Sequence, residues 1–188
     1  MIGYGPVTNS RCLWLYGFAL AANPHDAVEL YATMSSEISA YERRMELLRA
    51  LGIESLSTSA PHLLKASQPL PPSLLQSLRV QRAPKKLLKT WLQDPAAFAA
   101  SVKAPDITLE REILDALRVG VVRMLEAYPT TLEEDEEAEM RWAPHTKTLA
   151  AVSAYRYRMA LLLRLSEKRI LRAAVAKIDA AFNQLNLG

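Results

Sequence analysis

Apolar residues recur every three or four positions along most of this chain, and this spacing places them on one face of a helix. The clearest case runs from Thr108 to Ala127 and ends before Pro129. Its predicted buried stripe consists of Ile113, Leu117, Val121 and Leu125. After Pro144 no Gly or Pro occurs until Gly188, which predicts a helix of roughly 40 residues, about 60 Å long. The apolar positions of that helix include Val152, Met159, Leu163, Ile170, Ala174, Ile178, Phe182 and Leu185.

Turn and capping residues divide the remaining sequence into shorter helices. Pro84, Pro95 and Pro105 separate two of them, predicted over 85–93 and 96–103. Asn9 is predicted to cap a short helix near Leu13, and Ser39 with Glu42 to cap a helix that Gly52 closes. Pro71-Pro72 is predicted to begin a third helix, and Thr130 or Thr131 to cap an acidic helix.

Few stretches have the character of β-strands. Residues 1–5 run as a strand into a turn at Pro6, and residues 27–33 alternate between two faces, while a further short strand is expected within residues 53–64. The sequence therefore predicts an all-α protein, a mostly helical bundle with one long C-terminal helix and a small β remnant near the N-terminus.

Composition supports a packed protein and excludes several classes. Half of the 188 residues are hydrophobic and 23% are charged, which allows a substantial core. The net charge of +3 is not gathered into a stripe, so no nucleic-acid partner is expected. No run reaches the ~18 apolar residues of a membrane span, so no membrane partner is expected. The single cysteine, Cys12, excludes an internal disulfide and fits an intracellular compartment, with chloroplast, cytosol and nucleus left open.

Residues that could carry chemistry are scattered along the chain. His25, His62 and His145 stand apart, and none has a second metal ligand at helical spacing, so no metal site is expected. Hydrolase, zinc-protease and phosphate-loop motifs are absent. An acidic run is expected to pair with a basic cluster on the long helix, which can also pair with Glu167. The run is Glu133, Glu134, Asp135, Glu136, Glu137 and Glu139, and the cluster is Arg156, Arg158, Arg164, Lys168, Arg169 and Arg172.

Four segments resemble the Rubisco large-subunit methyltransferase family of SET-domain protein-lysine methyltransferases. Together they span nearly the whole chain in the family's order. They are residues 2–9 with 13–18, residues 23–30, residues 70–79, and residues 127–135 followed by Arg156, Arg164, Glu167 and Lys168. The first resembles the end of the family's catalytic domain, and the last resembles its "YxTTxEED" segment and long final helix. Val7 and Thr8 depart from the family's usual Lys or Arg and Ser.

The resemblance implies a role for each part of the chain. Residues 1–22 correspond to the terminal strand and helix of a truncated SET domain, and residues 23–188 to the helical substrate-binding domain. Tyr4 stands where the family has a tyrosine beside the methyl-transfer channel, and its phenol would help position the lysine amine. The family uses S-adenosylmethionine. The Asn-His pair and Gly-rich segment that hold this cofactor have no counterpart in these residues, so this chain alone is not expected to bind it or to be active.

The expected function is therefore to dock a lysine-containing protein substrate for S-adenosylmethionine-dependent methylation, with the family's catalytic SET domain as a further partner. One alternative is a free-standing helical interaction module without methyltransferase activity. Another is a secreted helical protein, because residues 12–22 imitate a signal peptide.

Overall fold

The structure, a computed structural model, describes residues 5–53, 61–142 and 149–187. Its elements, in chain order, are α1 (Asn9–Tyr16), β1 (Val28–Leu30), α2 (Tyr41–Ala50), β2 (His62–Leu64), α3 (Pro72–Arg82), α4 (Lys85–Gln93), α5 (Pro95–Lys103), α6 (Ile107–Glu126), α7 (Leu132–Met140) and α8 (Leu149–Leu187). Strands β1 and β2 form a two-stranded sheet. The predicted fold class is confirmed: the protein is mostly helical, with a small sheet and a final helix of 39 residues.

The chain forms two compact units. Unit 1 comprises Met1–Val28, Leu64–Pro69 and Val121–Val175, and unit 2 comprises Glu29–Leu63, Leu70–Gly120 and Ala176–Gly188. Helices α6 and α8 contribute residues to both units. The predicted boundary between a SET-domain segment, residues 1–22, and the substrate-binding domain, residues 23–188, stays a prediction. Among the described residues, no helix is long and apolar enough to cross a membrane.

Unit 2 is built around a core contributed by helices α2 to α6. Trp91 of α4 and Phe98 of α5 meet edge to face, with their ring centroids 5.1 Å apart. The buried guanidinium of Arg44 donates hydrogen bonds to the carbonyl oxygens of Val80 and, at 2.9 Å, Ala83. These bonds join α2 to the C-terminal end of α3, where the last carbonyl groups of a helix lack intrahelical donors. Burial lowers the pKa of Arg44.

The predicted N-terminal caps are confirmed at some helices and wrong at others. The box of Thr131 and Glu134 is confirmed: each side chain bonds the other residue's backbone N–H. The predicted box of Ser39 and Glu42 is wrong, because α2 begins one residue later and follows Ala40, which has a left-handed backbone (φ 59°) and no side-chain cap.

The predicted cap of α1 is also corrected. Thr8, and not Asn9, accepts the hydrogen bond from the Arg11 backbone N–H, at 3.3 Å. Asn9 is the first helical residue, and its side chain is used elsewhere. A cap needs an oxygen that is free to face the first turn, and the oxygen of Asn9 has other donors.

Candidate functional site

A buried polar cluster in unit 1 holds α1 against the middle of α8. Asn9 is fully buried, and its side-chain amide donates to Asp26 at 3.0 Å and to the Leu20 carbonyl at 3.0 Å. Its backbone N–H donates to the other Asp26 oxygen at 2.8 Å, and its amide also reaches the Ser166 hydroxyl of α8 at 3.4 Å. The cluster therefore holds the first residue of α1, five positions after Tyr4 in the sequence, against Asp26 and α8.

Apolar contacts continue this attachment. Ala19 and the half-buried Phe18 pack against Met159 and Leu162 of α8. Other side chains of the same segment are exposed. Trp14 has 83% of its surface accessible to solvent, and Leu15, Tyr16 and Leu20 are also exposed. We name these four residues the α1 apolar face. A tryptophan this exposed is uncommon on a soluble protein surface and is typical of an interaction site when apolar neighbours surround it.

Helices α7 and α8 meet through a second polar cluster, centred on Lys168. This lysine is 1% exposed. Its ammonium donates to Asp135 at 2.6 Å, to the Thr130 carbonyl at 2.6 Å and to the Thr131 carbonyl at 3.1 Å. Arg164 also donates to both oxygens of Asp135, at 2.9 and 3.1 Å. Burial works to raise the pKa of Asp135, but the hydrogen bonds from Arg164, Lys168 and Thr130 outweigh it and lower the pKa to about 2.

The predicted pairing of the acidic run with the basic cluster is confirmed. Three pairs flank the Lys168 cluster: Glu133 with Arg172, Glu136 with Arg169, and Glu139 with Arg158. Glu137 of α7 pairs with Arg141, the residue that directly follows α7. Glu167, which the basic cluster was expected to be able to pair with, has Tyr128 as its partner instead. Tyr128 donates its hydroxyl to Glu167 at 2.6 Å. Burial, together with this bond, raises the pKa of Tyr128, and burial raises the pKa of Glu167.

The candidate residues named from sequence fall in different places. Tyr4 and His145 lie outside the described residues. His25 is exposed, whereas His62 is buried in β2 with its Nδ1 atom 3.2 Å from the Ser73 hydroxyl. Among the described residues, no group of three or more His, Cys, Asp or Glu side chains could hold a metal ion. No local pattern indicated that Asn9 and Lys168 are buried, because the burial of each depends on contacts distant in sequence.

The comparisons with known proteins agree on the kind of domain. Residues 35–171 match the family described as Rubisco LSMT substrate-binding. Over 189 residues the chain is 29% identical to the actin-histidine N-methyltransferases of Homo sapiens and of Rattus norvegicus. The aligned region covers 97% of this chain and 30% of each relative. The chain therefore spans less than a third of the length of these curated relatives.

A solved structure shares the fold. "Crystal structure of the SET domain of LSMT bound to Lysine and AdoHcy" superimposes with a TM-score of 0.78 at 20% identity, covering 96% of this chain and 38% of that one. The fold and the family match define a helical domain of the type carried by protein methyltransferases. The chain belongs to the Rubisco LSMT substrate-binding family, and the resemblance seen in its sequence is confirmed.

Proposed function

We propose that this domain docks a protein substrate for an S-adenosylmethionine-dependent protein N-methyltransferase. The observation that carries the proposal is the family match over residues 35–171, which covers most of the chain. Docking suits this domain because buried polar clusters hold α1 and α7 to α8, while large apolar side chains remain on the surface. A rigid scaffold lowers the entropy lost on binding.

The α1 apolar face is proposed to pack against the remainder of a catalytic SET domain. Trp14, Leu15 and Leu20 expose large apolar surfaces on one segment. The curated relatives are about three times as long as this chain, since the aligned region covers 30% of them. Within this proposal, residues 1–22 are the last part of the SET domain, and Tyr4 positions the methyl acceptor beside the transfer channel.

The methyl acceptor has two candidates. The family resemblance suggests lysine, whereas the name of the similar animal proteins specifies histidine in actin. Both are nitrogen nucleophiles that must be deprotonated to attack a methyl sulfonium, so they require the same kind of positioning. Actin is the substrate to test first, because the similar curated proteins share that name.

Competition tests docking directly. Purified chain would be added to an assay in which the human actin-histidine N-methyltransferase methylates actin. If the chain docks the same substrate, it should sequester actin from the enzyme, raising the apparent KM for total actin and leaving kcat unchanged. The Lys168→Met variant, whose fold should be destabilised, serves as a negative control.

The outcomes separate the alternatives. Competition with actin supports substrate docking and actin as the substrate. Loss of kcat instead would indicate that the chain contacts the enzyme, which favours the α1 apolar face as its contact. If neither constant changes and pull-down detects no actin, actin docking is refuted and the free-standing interaction module becomes the better description.

The chain alone is proposed not to bind S-adenosylmethionine. The sequence contains no Asn-His pair or Gly-rich cradle of the family's kind, and a charged sulfonium cofactor needs a shaped pocket to be held. Isothermal titration calorimetry should show no saturable heat at about micromolar affinity. A stoichiometric isotherm would refute this expectation.

A further inference from the structure

A cavity of about 300 Å³ opens in unit 1 beside the Asn9 cluster. Three segments line it: the loop at residues 21–26, the turn at residues 65–67, and one turn of α8 at residues 166–170. Ala22, Pro24 and Ile170 supply apolar surface, and Lys65 and Arg169 supply two positive charges. We name this cavity the basic recess.

The two cations of the basic recess are available to different degrees. Among the described residues, the Lys65 side chain makes no hydrogen bond and no ion pair. Arg169 uses its Nε and Nη2 atoms to bind one oxygen of Glu136, at 3.3 and 2.9 Å. Its Nη1 atom takes no part in that pair. Lys65 is therefore the freer donor.

The one carboxylate lining the basic recess is already committed. One oxygen of Asp26 accepts the backbone N–H groups of Asn9 and Ala27, and the other accepts the Asn9 amide. Of the two cations, Arg169 is already paired with Glu136, so the ammonium of Lys65 is the positive charge that the recess leaves without a partner among the described residues. The recess is therefore unsuited to a metal ion or a basic side chain, and it is complementary to a single negative charge.

We propose that the basic recess is a docking subsite for an acidic side chain, Asp or Glu, of the protein substrate. This inference rests on the proposed docking function and adds the chemistry of one contact. The carboxylate binds the ammonium of Lys65 and the free edge of Arg169, while its methylene groups contact Ala22 and Ile170. A nucleic acid is a poorer occupant, because its repeated phosphates require a stripe of cations and the recess has two.

Peptide titration followed by NMR tests the subsite without knowledge of the natural substrate. The probes are a capped peptide with a central Asp-Glu pair in a Gly-Ser background and its Asn-Gln twin. The acidic peptide should shift the backbone amides of Ala22, Ser67 and Arg169 in a saturable way at about millimolar concentration. The neutral twin should leave them unchanged. Equal shifts with both peptides, or none with either, would overturn the subsite.

Variants locate the interaction. Lys65→Gln should lower the affinity for the acidic peptide by roughly fivefold, which is within the range of an exposed charge pair. Lys89→Gln, an exposed lysine of α4 in unit 2, makes the same change in net charge and should leave the affinity as it is. Lys65→Glu should abolish the preference for the acidic peptide and create one for a Lys-Lys peptide. Identical affinities for Lys65→Gln and Lys89→Gln would refute the assignment.

A titration with inorganic phosphate distinguishes a site for an acidic side chain from a site for any anion. Inorganic phosphate that reproduced the peptide's shifts at equal concentration would overturn the acidic-side-chain assignment. The competition assay then divides the two proposals. If wild type competes for actin and Lys65→Gln competes equally well, docking stands and the subsite fails. If neither competes while the peptide test succeeds, the subsite stands and actin docking fails.

Discussion

Lys168 shows how one residue can connect two helices. Its ammonium is buried and makes hydrogen bonds to Thr130, Thr131 and Asp135. Taking a charged amine out of water is costly, and its partners offset that cost through short charge-assisted bonds. The sequence identified Lys168 as one member of a basic cluster. It could not distinguish this lysine from its exposed neighbours, because burial depends on where α7 packs.

We expect Lys168→Met to lower the free energy of unfolding by roughly 3–5 kcal/mol, since it removes one partner of the buried ion pair with Asp135 and the ammonium donor of the Thr130 carbonyl. Arg169→Met is the matched control, because that ion pair is about half exposed and should contribute about 0–1 kcal/mol. Urea unfolding of the three proteins measures both effects. Similar losses in the free energy of unfolding for the two variants would show that the buried Lys168 pair stabilises the fold no more than an exposed pair does.

His62 should make stability depend on pH. Burial lowers the pKa of His62 below its usual 6.5, so the unfolded chain binds the proton more readily than the folded chain. The contribution of His62 is therefore complete above about pH 6.5 and is lost as the pH falls below it. We expect His62→Gln to reduce the difference in stability between pH 7 and pH 5. His25→Gln, at an exposed position, should preserve that difference, and chemical denaturation at both pH values will decide.

At the scale of elements, local signals predicted helices well and their packing less well. The prolines that separate α4 and α5 act within the chain, and α4 has the predicted bounds of 85–93. The long C-terminal helix is also confirmed. The apolar positions named for it are not all buried: Val152 is 50% exposed and Leu163 is half-buried, whereas Leu161 and Leu171, which were not named, are fully buried. A helix in contact with different neighbours along its length does not keep a single buried face.

The α7–α8 pairs lead to a prediction about salt. Replacing Glu136 and Glu139 by Gln removes the pairs with Arg169 and Arg158. We expect the melting temperature to fall by about 2–4 °C at 0.1 M KCl, for a combined loss of about 1 kcal/mol. At 1 M KCl the loss should shrink, because the screening length falls to about 3 Å.

Glu137→Gln is the control for this experiment, since Glu137 pairs with the exposed Arg141 at the end of α7 and not with α8. It should change the melting temperature little at either salt concentration. A double-variant loss that persists unchanged at 1 M KCl would mean that packing, and not charge, holds α7 against α8.

For the whole molecule, the sequence predicted the family and the fold class because motif residues and helix signals are local or ordered along the chain. It predicted less of the candidate site. Asn9 was expected to cap α1, yet its side chain joins Asp26 and Ser166, partners 17 and 157 positions away. Contacts at such separations come from tertiary packing, which no local pattern encodes. The role of Tyr4, which lies outside the described residues, stays a prediction from resemblance.

The α1 apolar face should behave as an uncovered interface in the isolated chain. Because Trp14 is 83% exposed, Trp14→Ser removes little packing and should change the free energy of unfolding by about 0.5 kcal/mol or less. It should nevertheless lower the binding of the fluorescent dye ANS and reduce self-association in sedimentation experiments, because it removes most of the aromatic surface on that face. Val119→Ser is the matched control, since Val119 is 51% exposed on α6 in unit 2, outside the α1 apolar face.

If Val119→Ser reduces dye binding as much as Trp14→Ser, the α1 apolar face is ordinary surface. If Trp14→Ser instead unfolds the protein, the tryptophan supports the fold, and the proposed contact with a catalytic domain loses its main argument.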